Sequence, residues 1–156
     1  AAKLMDVDMV VVGIGPGHVG TNTALGFSGA EIALNCHAVE LLGGRSILVP
    51  RLSFAESRRR HKPISHHTII LLKRLIKDRI NLAFPDLYII REFLKKEELN
   101  IHNVKYYKYD KIKSILKQSN YNFKSMGRTF VDDPIFFITS GLAVLRYKEL
   151  IRGDNN

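Results

Sequence analysis

The chain has 156 residues, 46% of them hydrophobic, with a formal net charge of +9 and a single cysteine. That length and apolar content suit one core, so two complete domains are not expected, and no run of eighteen apolar residues offers a membrane span. An internal disulfide is excluded, and the start of the sequence carries no basic-then-apolar signal pattern, so the expected setting is the cytoplasm, with Cys36 an inert buried thiol.

The charge is unevenly distributed. Residues 1–50 hold two Lys/Arg against four acids, residues 51–128 nineteen against seven, and residues 129–156 three against four. These bounds give the expected organisation of one domain: a glycine-loop β-α-β unit (1–50), a basic middle region (51–128), and a turn with a C-terminal helix (129–156). Such a basic stretch either solvates the surface or attracts polyanions.

In chain order, Val10 to Val12 read as a short buried strand, followed at once by Gly13, Gly15, Gly17 and Gly20. The glycines let the backbone turn sharply and let a ligand approach it closely. Residues 21–29 read as a short helix, and "AEIAL" (30–34) as a second strand. The stretch 35–44 reads as a turn and a helical stub ended by paired glycines, and Ser46 to Val49 as a strand stopped by Pro50. "SRRRHKPISHH" is a basic loop. "TIILLKRLIKDRI" places Ile69, Leu72 and Ile76 on one helical face. "DLYIIREFLKK" fits either helix or strand, and "VKYYKY" has strand character. "TFVDDPIFFITSGLAVLRYKEL" reads as a strand to Val131, a turn at Asp132-Asp133-Pro134, and a helix to about Leu150. The fold class expected from this order is α/β, an open, mainly parallel sheet flanked by helices. Val10–Val12, Ile32–Leu34 and Phe130–Val131 are its expected neighbouring parallel strands, with both glycine-type turns at one carboxyl edge.

Three patterns carry chemistry. His61, His66 and His67 lie close in sequence but lack the spacing and the further ligands of a known metal motif, so no metal site is expected. Arg58, Arg59, Arg60 and Lys62, with Tyr106, Tyr107 and Tyr109 further on, form the basic and aromatic mixture of an RNA-binding surface, although no recognised RNA-binding motif accompanies it. The glycine loop satisfies G-x-G-x-x-G, which suits an FAD- or NAD-binding fragment, but "IALNCH" lacks the acid that would hold the ribose.

Taken with "AEIAL", "HAVELLG" and the second segment "VDDPIFFITSGLAVL", "VVGIGPGH" resembles the first domain of the tetrapyrrole (corrin and porphyrin) methylases. The resemblance implies an S-adenosylmethionine-dependent methyltransferase acting on a precorrin-type substrate. It implies cofactor contacts at Pro16, Val131, Asp132, Asp133 and Phe136, with Gly13, Gly15, Gly17 and His18 in the loop toward the substrate. It also implies either a missing C-terminal domain or a homodimer to complete the cleft, and no catalytic acid or base carries over. Asp132 stands where that family has glycine. The alternative is a non-catalytic basic α/β module that binds nucleic acid, RNA foremost, through Arg58, Arg59, Arg60 and Lys62, or that assembles with a partner.

Overall fold

A computed structural model describes residues 7–13, 19–21 and 23–153. The architecture is α/β, and its parallel sheet is built from the middle of the chain rather than from its two ends. After a 3-10 turn at Ser28–Ala30, the segment read as a second strand is instead helix α1, Glu31–Leu41. Its two alanines, two leucines and two glutamates are strong helix formers, Glu31 favours the positive end of the helix dipole, and Ala33 and Cys36 enter the core three positions apart. A five-residue apolar run does not by itself distinguish the two periods, and here the helical one prevails.

Strand β1 follows at Ile47–Leu48, within the predicted Ser46–Val49. Helix α2 spans His66–Ile70 and passes into a π turn at Leu71–Leu75, and this pair replaces the single amphipathic helix expected there. Strand β2, Asn81–Pro85, is buried at every position and lies at the centre of the sheet. Helix α3 (Tyr88–Lys96) settles the ambiguity of its segment in favour of helix, and strand β3 (Asn103–Tyr107) bears out the strand character of "VKYYKY".

The order is β1-β2-β3, all parallel, with Ile47 opposite Asn81 and Asn81 opposite Asn103. Helix α4 (Asp110–Gln118) leads to an antiparallel hairpin of β4 (Lys124–Ser125) and β5 (Arg128–Thr129). Met126 and Gly127 turn it with φ of 52° and 78°, the pair of left-handed residues of a type I′ two-residue hairpin turn. Helix α5, Pro134–Gly153, then packs back across β2 and β1. Its Ile135, Ile138 and Leu142 join Phe84, Leu82, Leu72, Ile90 and Leu94 in the core.

The predicted set of parallel strands is therefore corrected. Val10–Val12 is exposed and pairs with no strand among the described residues, Ile32–Leu34 is helical, and Phe130–Val131 lies in a turn beyond β5. The last of these has a visible cause. The Asp132 carboxylate accepts hydrogen bonds from the Thr129 backbone N–H and hydroxyl, both at 2.7 Å, which curls the chain out of the strand one residue after Thr129. Those bonds also hold the carboxyl below its usual range. Asp132→Gly should accordingly lower the melting temperature, and calorimetry with S-adenosylhomocysteine should show no gain in affinity. A variant that melted with the wild type and bound that ligand more tightly would place Asp132 in a cofactor cleft.

Candidate functional site

The chain leaves the carboxyl end of β1 through Pro50 into a long loop, 51–65, the position where open α/β sheets place their ligand sites. The loop is closed like a hairpin. Leu52 bridges Ile64, the Ser53 N–H donates to the Pro63 carbonyl at 3.0 Å, and the Ser65 N–H donates to the Arg51 carbonyl at 2.9 Å. Leu52 and Ile64 are buried, so the two stems form an apolar base on which the polar tip stands.

That tip is organised around a buried carboxylate. Glu56 is 3% exposed and accepts from Arg51 at 3.0 Å, from Arg58 Nε at 3.2 Å and from Arg128 at 3.3 Å. The Arg58 hydrogen bonds, aided by Arg128, hold its carboxyl far below the ordinary carboxylate range despite burial. Arg128 sits directly after the Met126-Gly127 turn, so the hairpin delivers the third guanidinium. A second clasp lies beside the first. The Ser53 hydroxyl and the Phe54 N–H both donate to Asp133, a buried carboxylate at the start of α5. Loop, hairpin and α5 are thereby joined by two carboxylates and three arginines, an excess of one positive charge.

The histidines lie on the other side of Arg51. His61 is 1% exposed, and its Nδ1 lies 2.8 Å from the Ser65 hydroxyl and 3.4 Å from an Arg51 Nη. Arg51 can only donate, so Nδ1 is the acceptor and the ring proton resides on Nε2. Burial, followed by the charges of Arg51 and Arg58, pushes the His61 pKa down to about 4, so the ring is neutral at physiological pH. The His66 ring is also displaced downward, mainly by burial and next by Arg60. The His61, His66 and His67 ring centroids are 4.0–5.6 Å apart, and His67 stacks on Phe27 at 4.4 Å. Among the described residues, no group of three His, Cys, Asp or Glu side chains is arranged to hold a metal ion. A pocket of about 60 Å³ beside the cluster, lined by Arg51, Ser65, His67 and Thr68, has room for only a couple of waters.

The 3-10 turn Arg59–His61 is anchored from both sides, by Arg58 on Glu56 and by His61 in the interior. Arg59, Arg60 and Lys62 are exposed around it. The four cations expected to act together therefore divide: Arg58 belongs to the scaffold and the other three face solvent. The tyrosines expected beside them are engaged elsewhere, Tyr106 under the Arg91 guanidinium at 3.9 Å and Tyr107 donating its hydroxyl to Glu149 at 2.6 Å.

The residues that the methylase resemblance singles out fall in part outside the described residues, and the described ones have other partners. Ile14 to His18, and with them Gly15, Pro16, Gly17 and His18, lie outside the described residues, while Gly13 is exposed with open space around it. Val131 is exposed, and Asp132 is bonded to Thr129. Asp133 is bonded to Ser53 and Phe54 rather than capping its own helix, and Phe136 packs against Phe137. Asp133 thus matters, but as an anchor of the 51–65 loop. Sequence reasoning missed Glu56, Arg51, Arg128 and Ser53, whose partners lie as far as 80 residues away.

Cys36 is buried as expected, and burial raises its thiol pKa. No helix among the described residues is long and apolar enough to cross a membrane. The chain belongs to the family described as "Protein of unknown function (DUF3866)", whose model matches residues 1–144. No match was found among curated proteins or among solved structures.

Proposed function

We propose that this domain binds polyanions, the phosphodiester backbone of single-stranded RNA foremost, through the anchored turn that displays Arg59, Arg60 and Lys62. The observation that carries this reading is the division of labour within the loop. Glu56 and His61 are buried and fix the turn from both sides, while the cations between and beside them stand in solvent. A fixed display of cations loses little entropy when phosphates dock, and the basic middle region supplies a long-range field of the same sign. Ser65 and His61 make a hydroxyl–imidazole pair, but both are fully buried, which favours binding over turnover.

The test is fluorescence anisotropy of a labelled single-stranded RNA across a salt series. Each neutralised phosphate contributes about −0.7 to the slope of log K against log salt for a single strand. Replacing Arg59, Arg60 and Lys62 together with Ala should therefore flatten the slope by about 2, by a similar amount for unrelated sequences. A wild-type protein that leaves the probe unbound at low salt defeats the proposal, as does a triple variant with an unchanged slope.

A further inference from the structure

The helix that replaces the expected second strand carries an apolar face that, among the described residues, no other element covers. Ala33 and Cys36 point into the core, while on the opposite side Leu34 is 68% exposed, Leu41 88% and Leu42 76%, with exposed Ala38 between them. Positions 34, 38, 41 and 42 fall on one stripe of an α-helix. Single exposed leucines are ordinary, but a stripe of three around a small residue is the pattern of a helix that packs against another helix.

From this stripe we infer that the chain forms a symmetric dimer in which α1 packs antiparallel against α1 of a second copy. Two observations select a second copy as the occupant. The first is charge. Residues 51–128 hold nineteen Lys/Arg against seven acids and repel another copy, whereas α1 and its flanks, residues 28–45, hold Glu31 and Glu40 against Arg45, so two copies meet here with little repulsion. The second is self-complementarity. An antiparallel pair crossing at Ala38 sets Leu34 against Leu42 of the other copy, with the small alanine allowing close approach at the crossing. It also brings Glu31, exposed in the first turn, toward Arg45, exposed beyond the last, which donates within its own chain to the Leu150 carbonyl at 3.3 Å. Val19, tied to the chain just before α1 by the Ser28 N–H at 2.9 Å, and Leu25 are exposed as well.

A contact built on one helix and its flanking loop falls at the small end of specific interfaces, below about 1,200 Å² in total. The dimer is therefore expected to dissociate in the micromolar range.

Sedimentation velocity between 1 and about 200 µM should show concentration-dependent dimerisation in the folded protein, weakened about tenfold or more by Leu34→Glu or Leu41→Glu. Both leucines are exposed, so thermal melts of the dilute variants should match the wild type. Independently, Ala38→Cys should give a disulfide-linked dimer under mild oxidation, because the symmetry axis places residue 38 against itself, while buried Cys36 stays unreactive. Glu31→Arg should weaken the dimer, and adding Arg45→Glu should restore it. A monomer throughout the concentration range overturns the inference, as does a dimer indifferent to the leucine substitutions or an Ala38→Cys variant that fails to cross-link.

Discussion

Glu56→Gln should be the most damaging single substitution in the loop, lowering stability by about 3 kcal/mol. Breaking a buried ion pair by removing one partner costs about 3–5 kcal/mol because the remaining charge has lost its counterpart. The lower end applies because the arginine side chains keep part of their hydration, 20% exposure at Arg51 and Arg128 and 50% at Arg58. The amide retains one acceptor oxygen, but its NH2 group faces guanidiniums that cannot accept. For a chain of this size the loss corresponds to roughly 6–12 °C in melting temperature. Arg58→Ala should cost less, since its side chain is half exposed and two arginines still serve the carboxylate. The pH dependence has a definite sign. The folded-state pKa of Glu56 is depressed, so its contribution is fully present above the unfolded value, near 4.3, and is lost as pH falls toward the folded one. Thermal melts at pH 7 and in acid check both statements. Equal melting temperatures for wild type and Glu56→Gln at pH 7 would remove Glu56 from its place as the anchor of the loop.

The same residue shows where sequence reading stops. Local signals gave β1, β3, the helical start at Pro134 and the basic loop, because each depends on neighbours within a few residues. The turn at Asp132-Asp133-Pro134 was also legible, but what its carboxylates bind was not: Asp132 reaches back three residues, whereas Asp133 reaches Ser53 across 80. The glycine-rich start carries a stronger local signal than β2, whose "NLAFP" has little β-branched character and owes its central place to burial on both faces. Helix α1 is not legible as a helix because its apolar residues surround it instead of marking one face, leaving the periodicity flat. That flatness has a structural counterpart in the outward leucine stripe, so the failure of the pattern and the proposed interface have one origin. The hairpin turn did leave a trace in Met126-Gly127, since glycine supplies the positive φ, but nothing local indicates that Arg128 beyond it would reach Glu56.

The histidine side of the loop should make the protein lose stability earlier in acid than its carboxylates alone would cause. His61 has a folded-state pKa of about 4 against an ordinary value near 6.5, so between those pH values the unfolded chain binds a proton that the folded chain excludes. Stability therefore falls as pH drops from 6.5 toward 4, by about 1.4 kcal/mol per pH unit and about 3 kcal/mol in all. His66, shifted in the same direction, adds to the slope. His37 acts outside this interval: its ring is bonded to the Leu75 carbonyl and to Asp78, which raises its pKa, so its contribution is fully present below about 6.5 and fades only as pH rises through the raised value. Glu56 begins to matter only below its unfolded value, so the interval from pH 6.5 to 5 isolates the histidines. In His61→Gln the side-chain oxygen can still accept from Ser65 or Arg51, but the group no longer titrates, and urea unfolding across that interval should lose more than half of the wild-type slope. A wild type of constant stability from pH 7 to 5 would mean that His61 protonates where it sits. A slope that survives His61→Gln intact would assign the acid sensitivity to other groups and leave the buried imidazole as a packing element beneath the basic turn.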